Sequence, residues 1–213
     1  CMDKILRYFP DLHGEQVDKL RGLYDSYHVW NARINVISRK DFHNFYLHHV
    51  LHSLAIARVI HFKAGTQILD VGTGGGFPGI PLAILFPESQ FVLLDSIRKK
   101  LRVIEEIAND FKLNNVSTVH ARVEKYQDQF DFITSRAVTQ FPKFVQWVKK
   151  NIKSESFNEL KNGILYLKGG DFEQELKAYK NQVSIYPLWE MFQEEFFETK
   201  KLIYLPLNQN AGN

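Results

Sequence analysis

Sulfur chemistry is almost missing from this chain. Its 213 residues include one cysteine, Cys1, which precedes Met2 and reads as an addition ahead of the native start. No disulfide framework, thiolate metal site or thiol nucleophile can be built from it, and a cytoplasmic location is expected. Long apolar runs are also lacking, since nothing approaches the ~20 residues that cross a bilayer. The opening CMDKILRYFP is too charged and too short for a signal peptide. There are no internal repeats, no low-complexity segments and no strong excess of one charge: the net charge is +3, with 45% hydrophobic and 24% charged residues. That balance is globular, and it permits a nucleic-acid partner without demanding one.

What is present divides near residue 65. Before it, Val17, Leu20, Leu23, Tyr24 and Tyr27, then Phe42, Phe45, Tyr46, Val50, Leu54 and Ala57, recur at three- and four-residue spacing. This spacing predicts a helical N-terminal region over 1–64, packed on the rest, with Pro10 and Asp11 opening one helix and NARINVISRK separating two others. Over 65–213 the pattern becomes α/β. Apolar runs at 67–72, 90–95, 115–121, 130–135 and 163–169 have strand length, and a helix over 97–111 carries Ile97, Leu101, Ile104, Ala108 and Phe111 on one face. Strand and helix in alternation predict a mostly parallel sheet with helices on both sides. NQVSIYPL and KKLIYLPL, with no helix evident between them, predict an antiparallel pair at one edge.

The chemistry gathers in DVGTGGGFPG, residues 70–79. Gly72, Gly74 and Gly76 follow the first strand directly and Gly79 opens the next helix, the place where open parallel sheets bind ligands. A nucleoside-triphosphate loop would end in Gly-Lys-Ser/Thr, and this one ends Phe77-Pro78-Gly79. The dinucleotide pattern G-x-G-x-x-G fits only in a register displaced from the strand. Asp70, just ahead of the loop, is poorly placed for a pyrophosphate but suits a ligand with ammonium and sulfonium groups. Asp70-Val71-Gly72-Thr73-Gly74-Gly75-Gly76 completes the acidic-x-G-x-G-x-G loop that class I methyltransferases use for S-adenosylmethionine. Asp95, ending the second strand, can accept both ribose hydroxyls. The reversed last strand separates the methyltransferase reading from a dehydrogenase. The expected fold is therefore a Rossmann-like class I methyltransferase domain with a mostly parallel seven-stranded sheet and a helical N-terminal extension.

The methyl acceptor is narrowed by exclusion. Methylation at a pyrimidine C5 needs a thiolate, and no internal cysteine exists. The fourth strand ends FITSRA, without the Asn/Asp-Pro-Pro-aromatic tetrapeptide of exocyclic-amine methylation. An acceptor with its own lone pair, such as a ring nitrogen, or a hydroxyl beside a base remains. Basic residues favour nucleic acid. Arg98, Lys99, Lys100 and Arg102 sit in the first turns of a helix, where the macrodipole opposes each cation by ~0.3–1 kcal/mol, so that phosphate is a natural partner. Arg136 and Lys168 stand at strand ends on the ligand side and are candidates for a catalytic or RNA-facing role. Seven of eight histidines precede residue 65. His48 and His52 lie four apart, but no H-E-x-x-H motif and no third ligand accompany them, so no metal site is expected. Two rivals to an RNA methyltransferase stand beside it: an enzyme acting on a small molecule or protein, and a donor-binding module without catalysis.

DVGTGGGFPGIPLAI, LLDSIRKKLRVI, ARVE, ITSRA and LYLKG, with NVIS and HHVLHSLA ahead of them, together resemble the ribosomal small-subunit methyltransferase G family, also called glucose-inhibited division protein B. The resemblance covers roughly residues 30–170. It implies methyl transfer from S-adenosylmethionine to N7 of a guanine in bacterial 16S ribosomal RNA, leaving S-adenosylhomocysteine. The substrate would be that RNA within the small subunit or an assembly intermediate, and the enzyme a monomer with no membrane partner. Position by position, it implies donor contacts at Gly72, Phe77, Val123 and Glu124, with Arg136 matching a binding arginine that holds either the donor carboxylate or the RNA, and Asp95 matching the acid that ends the second strand. The sequence departs from the family where His48-His49-Val50-Leu51-His52-Ser53 replaces a frequent RHxxDS, and where Phe77 replaces a common leucine.

Overall fold

The computed structural model describes residues 2–136 and 138–207. Cys1 and Ala137 of the SRA motif lie outside the described residues, as does the stretch 208–213. Two helices lead the chain, α1 (Met2–Tyr8) and α2 (Gly14–Asn31). The second starts later than Pro10 and Asp11 suggested. Gln16 reaches back to accept the His13 backbone N–H at 2.9 Å, satisfying a donor that a helix start leaves open. After the expected break comes an irregular helical run: a 3-10 turn (Phe42–Asn44), a π turn (Phe45–Leu51), α3 (His52–Leu54) and a second 3-10 turn (Ala55–Arg58).

Seven strands follow, β1 (Gln67–Val71), β2 (Gln90–Asp95), β3 (Val116–His120), β4 (Phe132–Arg136), β5 (Gly163–Gly169), β6 (Ser184–Pro187) and β7 (Lys200–Pro206). They form one sheet in the order β3-β2-β1-β4-β5-β7-β6. The first five run parallel, and β7 lies antiparallel to both β5 and β6. This is the reversed seventh strand that the C-terminal pattern predicted.

Side chains that alternate along each strand divide the core into two layers. Ile68, Leu93, Phe132, Leu165 and Leu202 face one way, onto Leu20, Leu23 and Tyr27 of α2, Ile80 and Leu82 of α4 (Gly79–Leu85), and Leu101, Ile104 and Ile107 of α5 (Arg98–Asp110). Leu69, Val71, Leu94, Ile133, Ile164 and Ile203 face the other way, onto Phe141, Phe144 and Val148 of α6 (Phe141–Val148). The N-terminal helices thus share a hydrophobic cluster with the sheet. Ile97, expected on the buried face of its helix, instead precedes α5 as its N-cap and is 44% exposed. Among the described residues no helix is long and apolar enough to cross a membrane.

Candidate active site

The carboxyl ends of β1, β2, β4 and β5 carry Asp70, Asp95, Arg136 and Lys168. Asp70 points to the same sheet face as Ile68, and Thr134 pairs with it across the β1–β4 register. Its carboxylate is fully buried. It accepts hydrogen bonds from Thr73 Oγ1 (2.7 Å), the Gly79 backbone N–H (3.0 Å) and Thr134 Oγ1 (2.9 Å). Burial raises its pKa to about 6, a shift opposed by those three bonds and by Arg136. Asp70 therefore acts on the loop itself, tying both of its ends to β1 and β4.

Three of the loop glycines are required sterically, among them Gly76, where φ is +107° and a Cβ would lie 2.7 Å from Ile80 Cγ1. Gly72 has φ +65°, and a Cβ there would lie 2.3 Å from Val138 Cγ1. At Gly79 a Cβ would lie 2.7 Å from Leu93 Cγ and 2.9 Å from Asp70 Oδ2. Gly74 stands at the open crest of the loop, where an added Cβ would meet nothing within 4 Å. Its backbone N–H donates to Asp95 Oδ2 (2.9 Å), while Asp95 Oδ1 accepts from the Ile97 N–H (2.9 Å). Asp95 thus links the loop to the start of α5.

The helical region holds the other side of the loop. Tyr27 Oη donates to the Gly75 carbonyl at 2.6 Å, in full burial, which pushes the phenol well above its ordinary pKa. The Asn31 side chain accepts from the N–H groups of Val36 and Ile37 (2.9 Å each) and donates to the Ile37 carbonyl (2.8 Å). This seats Val36 against Gly75. The Phe77 ring is buried, 5.1 Å from the Tyr27 ring, 6.0 Å from Phe45 and 5.4 Å from His49. Above it lies the Arg136 guanidinium, with Cζ 5.7 Å from the ring centre.

Arg136 donates to the His48 carbonyl and to His49 Nδ1, both at 3.2 Å. Asp41 in turn accepts from His48 Nδ1 at 2.5 Å and from His49 Nε2 at 2.8 Å. Desolvation holds the guanidinium below its usual pKa, opposed by Asp70, Asp41 and Tyr27. Burial, reinforced by Arg136, lowers the His49 pKa to about 4 against the pull of Asp41. His49 is neutral at physiological pH. His52 is buried with its ring against Phe196 and Phe197.

The remaining candidates scatter. Val123 is buried in a 3-10 turn (Val123–Lys125), with its carbonyl accepting from Lys150 Nζ, and Glu124 is exposed. Lys168 is paired with Glu175, both side chains being largely buried, and Glu175 also accepts the Phe141 N–H. That pairing removes Lys168 as a free cation at the strand ends. On α5, Arg98 is tied to Glu105 at 2.9 Å, and Arg98 and Thr118 hold that carboxyl below its usual pKa. Lys99 and Arg102 are exposed and Lys100 is half-buried. Tyr27, Asn31, Asp41, Thr73 and Thr134 escaped the sequence reading. Only Thr73, inside the glycine loop, carried a local signal.

A loop crest open at Gly74, a carboxylate behind it and a guanidinium beside it fit the expected methyl donor. The family model described as "GidB: rRNA small subunit methyltransferase G" matches residues 16–203, spanning Tyr27, the loop and Arg136. The chain belongs to the GidB family. Its relatives in that family include the "Ribosomal RNA small subunit methyltransferase G" of Flavobacterium johnsoniae, 54% identical over 97% of this chain and 98% of the relative. The protein of the same name from Bacteroides thetaiotaomicron is 55% identical over 95% and 98%. Among solved structures, an S-adenosylmethionine-dependent methyltransferase from Aquifex aeolicus superposes with a TM-score of 0.54 at 16% identity, covering 72% of this chain and 88% of that one. A precorrin-6y C5,15-methyltransferase from Geobacter metallireducens gives 0.52 at 13%, over 82% and 92%. At such identity these two establish the fold alone. It is the class I methyltransferase fold, with the GidB-family helices packed at its N-terminal side.

Proposed function

We propose that this protein transfers a methyl group from S-adenosylmethionine to N7 of a guanine in bacterial 16S ribosomal RNA. The family match across residues 16–203 carries the reading, because it spans both the donor loop and the residues around Arg136. When bound, S-adenosylmethionine supplies an electrophilic methyl carbon, and S-adenosylhomocysteine remains after transfer. Gly72 and Gly74 present backbone to the donor, and Asp95 receives its ribose hydroxyls beside the N–H bonds it already accepts. Val123 and Glu124 border the adenine, and Phe77 gives the loop its apolar floor. Arg136 receives the donor carboxylate, since its guanidinium is held beside the loop with further N–H groups to offer. Asp70 keeps a negative charge behind the sulfonium.

Guanine N7 carries a lone pair and no proton, so alignment suffices and no general base is needed. The exposed cations of α5, Lys99 and Arg102, meet RNA phosphates. The substrate is the RNA within the small subunit or its assembly intermediate, and the enzyme acts in the cytoplasm as a monomer.

Incubation of labelled donor with unmethylated 30S subunits, then chemical cleavage at N7-methylguanine, tests the reading. A single cleavage site in 16S RNA is expected. Label in protein or in a small acceptor, with none in RNA under conditions where donor binds, refutes it.

A further inference from the structure

Arg136 lies over Phe77 of the loop, and of its two hydrogen-bond acceptors, the His48 carbonyl and His49 Nδ1, the second is one that histidine supplies in only one of its two neutral forms. The carboxylate of Asp41 can only accept, so the 2.8 Å contact places the His49 proton on Nε2. The lone pair is then left on Nδ1, where Arg136 donates at 3.2 Å. With the proton on Nδ1, two N–H groups would face each other and the arginine would lose this partner. His48 binds the second oxygen of Asp41 through Nδ1, so both carboxylate oxygens are engaged and the carboxylate cannot turn away. The π turn over Phe45–Leu51 brings two successive histidines to one carboxylate, and π turns recur at functional sites.

We infer that Asp41 and His49 form a positioning relay that fixes the His49 tautomer and thereby aims Arg136 at the donor carboxylate. The relay rests on the donor role proposed for Arg136. It does not touch the reacting atoms. A histidine whose orientation and tautomer are set by a carboxylate on its far nitrogen is familiar from catalytic and metal sites, and here the controlled partner is a guanidinium. Titration does not disturb the relay near neutral pH. The charged and titratable groups facing His49 are Asp41 from the preceding loop, His48 from its own turn, His52 from α3 and Arg136 from β4; burial, Arg136 and His48 hold the ring neutral against the pull of Asp41.

Nitrogen NMR and donor binding by three variants test it. Nitrogen NMR of the histidine-labelled protein is expected to show a His49 ring protonated at Nε2 and bare at Nδ1. A proton on Nδ1 overturns the relay. His49→Phe keeps the ring packing against Phe77 but removes the acceptor, and is expected to weaken donor binding by about tenfold, the loss of one charge-assisted hydrogen bond. RNA KM should stay close to that of the wild type. His49→Asn, whose side-chain oxygen occupies the place of Nδ1, is expected to recover most of the donor affinity. A folded His49→Phe that binds donor like the wild type refutes the relay, provided Arg136→Lys binds it poorly. If Arg136→Lys also binds donor normally, the donor role of Arg136 falls, and the purpose assigned to the relay falls with it. Should His49→Phe fail to fold, the tautomer measurement on the wild-type protein still decides.

Discussion

Asp70→Asn isolates the cost of burying a charge beneath the loop. The Asp70 carboxyl titrates near 3.8 in an unfolded chain and near 6 in the folded one, because desolvation outweighs three hydrogen bonds. Between these values the folded state holds more protons than the unfolded state, so this group makes stability fall as pH rises from about 4 to about 6. That difference corresponds to about 3 kcal/mol at neutral pH. Asparagine removes that titration while keeping the shape. Its oxygen can take the place of Oδ2, accepting from Thr73 and Gly79, and its amide can donate to Thr134 Oγ1. His49, with a folded pKa near 4, contributes the opposite slope: the unfolded state binds its proton first, and stability is lost as pH falls below about 6.5. That contribution is common to both proteins and cancels in the difference. Urea denaturation of both from pH 4 to 7 is therefore expected to show Asp70→Asn gaining about 3 kcal/mol relative to the wild type as pH rises. Donor affinity, measured by calorimetry at pH 7, should fall in the same variant. A stability difference that does not change with pH refutes the buried-charge account, and unchanged donor affinity refutes the view that this charge supports the sulfonium.

Other perturbations probe separate contacts. Tyr27→Phe deletes the buried bond to the Gly75 carbonyl and is expected to lower unfolding free energy by about 1–3 kcal/mol and weaken donor binding, as read by denaturation and calorimetry. Lys168→Ala leaves Glu175 buried without its cation and should destabilise by about 3–5 kcal/mol in thermal or urea melts. A Lys168→Ala protein of normal stability but no methylation would restore Lys168 to the chemistry. Lys99→Ala combined with Arg102→Ala should leave donor affinity intact while reducing the slope of log RNA affinity against log salt by about 1–2, as expected if each cation meets one phosphate.

The strands were legible because each is a short apolar run between turns, while the layer that each side chain enters emerges only in the folded sheet. Gly72 and Asp70 were legible too, being neighbours in sequence. The irregular run over 42–58 was not. Apolar spacing reports which side chains are buried, and Phe42, Phe45, Val50 and Leu54 are buried as that spacing predicts. It does not distinguish bonding to the third, fourth or fifth residue along, and that choice is what brings His48 and His49 together on Asp41. Tyr27 with Gly75 and Lys168 with Glu175 were illegible for different reasons. The tyrosine and its loop are 48 residues apart and meet only when α2 packs on the sheet. The lysine looked like a free strand-end cation because nothing local marks a glutamate seven residues on as its partner.

A loop that must present backbone to a ligand cannot be stiffened by its own side chains, because every Cβ added toward the ligand takes the ligand's place. The rigidity has to come from outside. Here the sheet supplies one half of it, through Asp70, Thr134 and Asp95. The N-terminal helices supply the other half, through Tyr27 on the Gly75 carbonyl and Asn31 behind Val36. The loop and π turn that follow α2 carry Asp41 and His49, and His49 meets the Arg136 guanidinium with Asp41 on its other ring nitrogen. A rigid loop and a fixed guanidinium reduce the ordering cost of binding the donor. On the donor roles proposed for the loop and for Arg136, the helical region belongs to the donor site as well. Changes there should appear first in donor affinity, before any effect on RNA recognition.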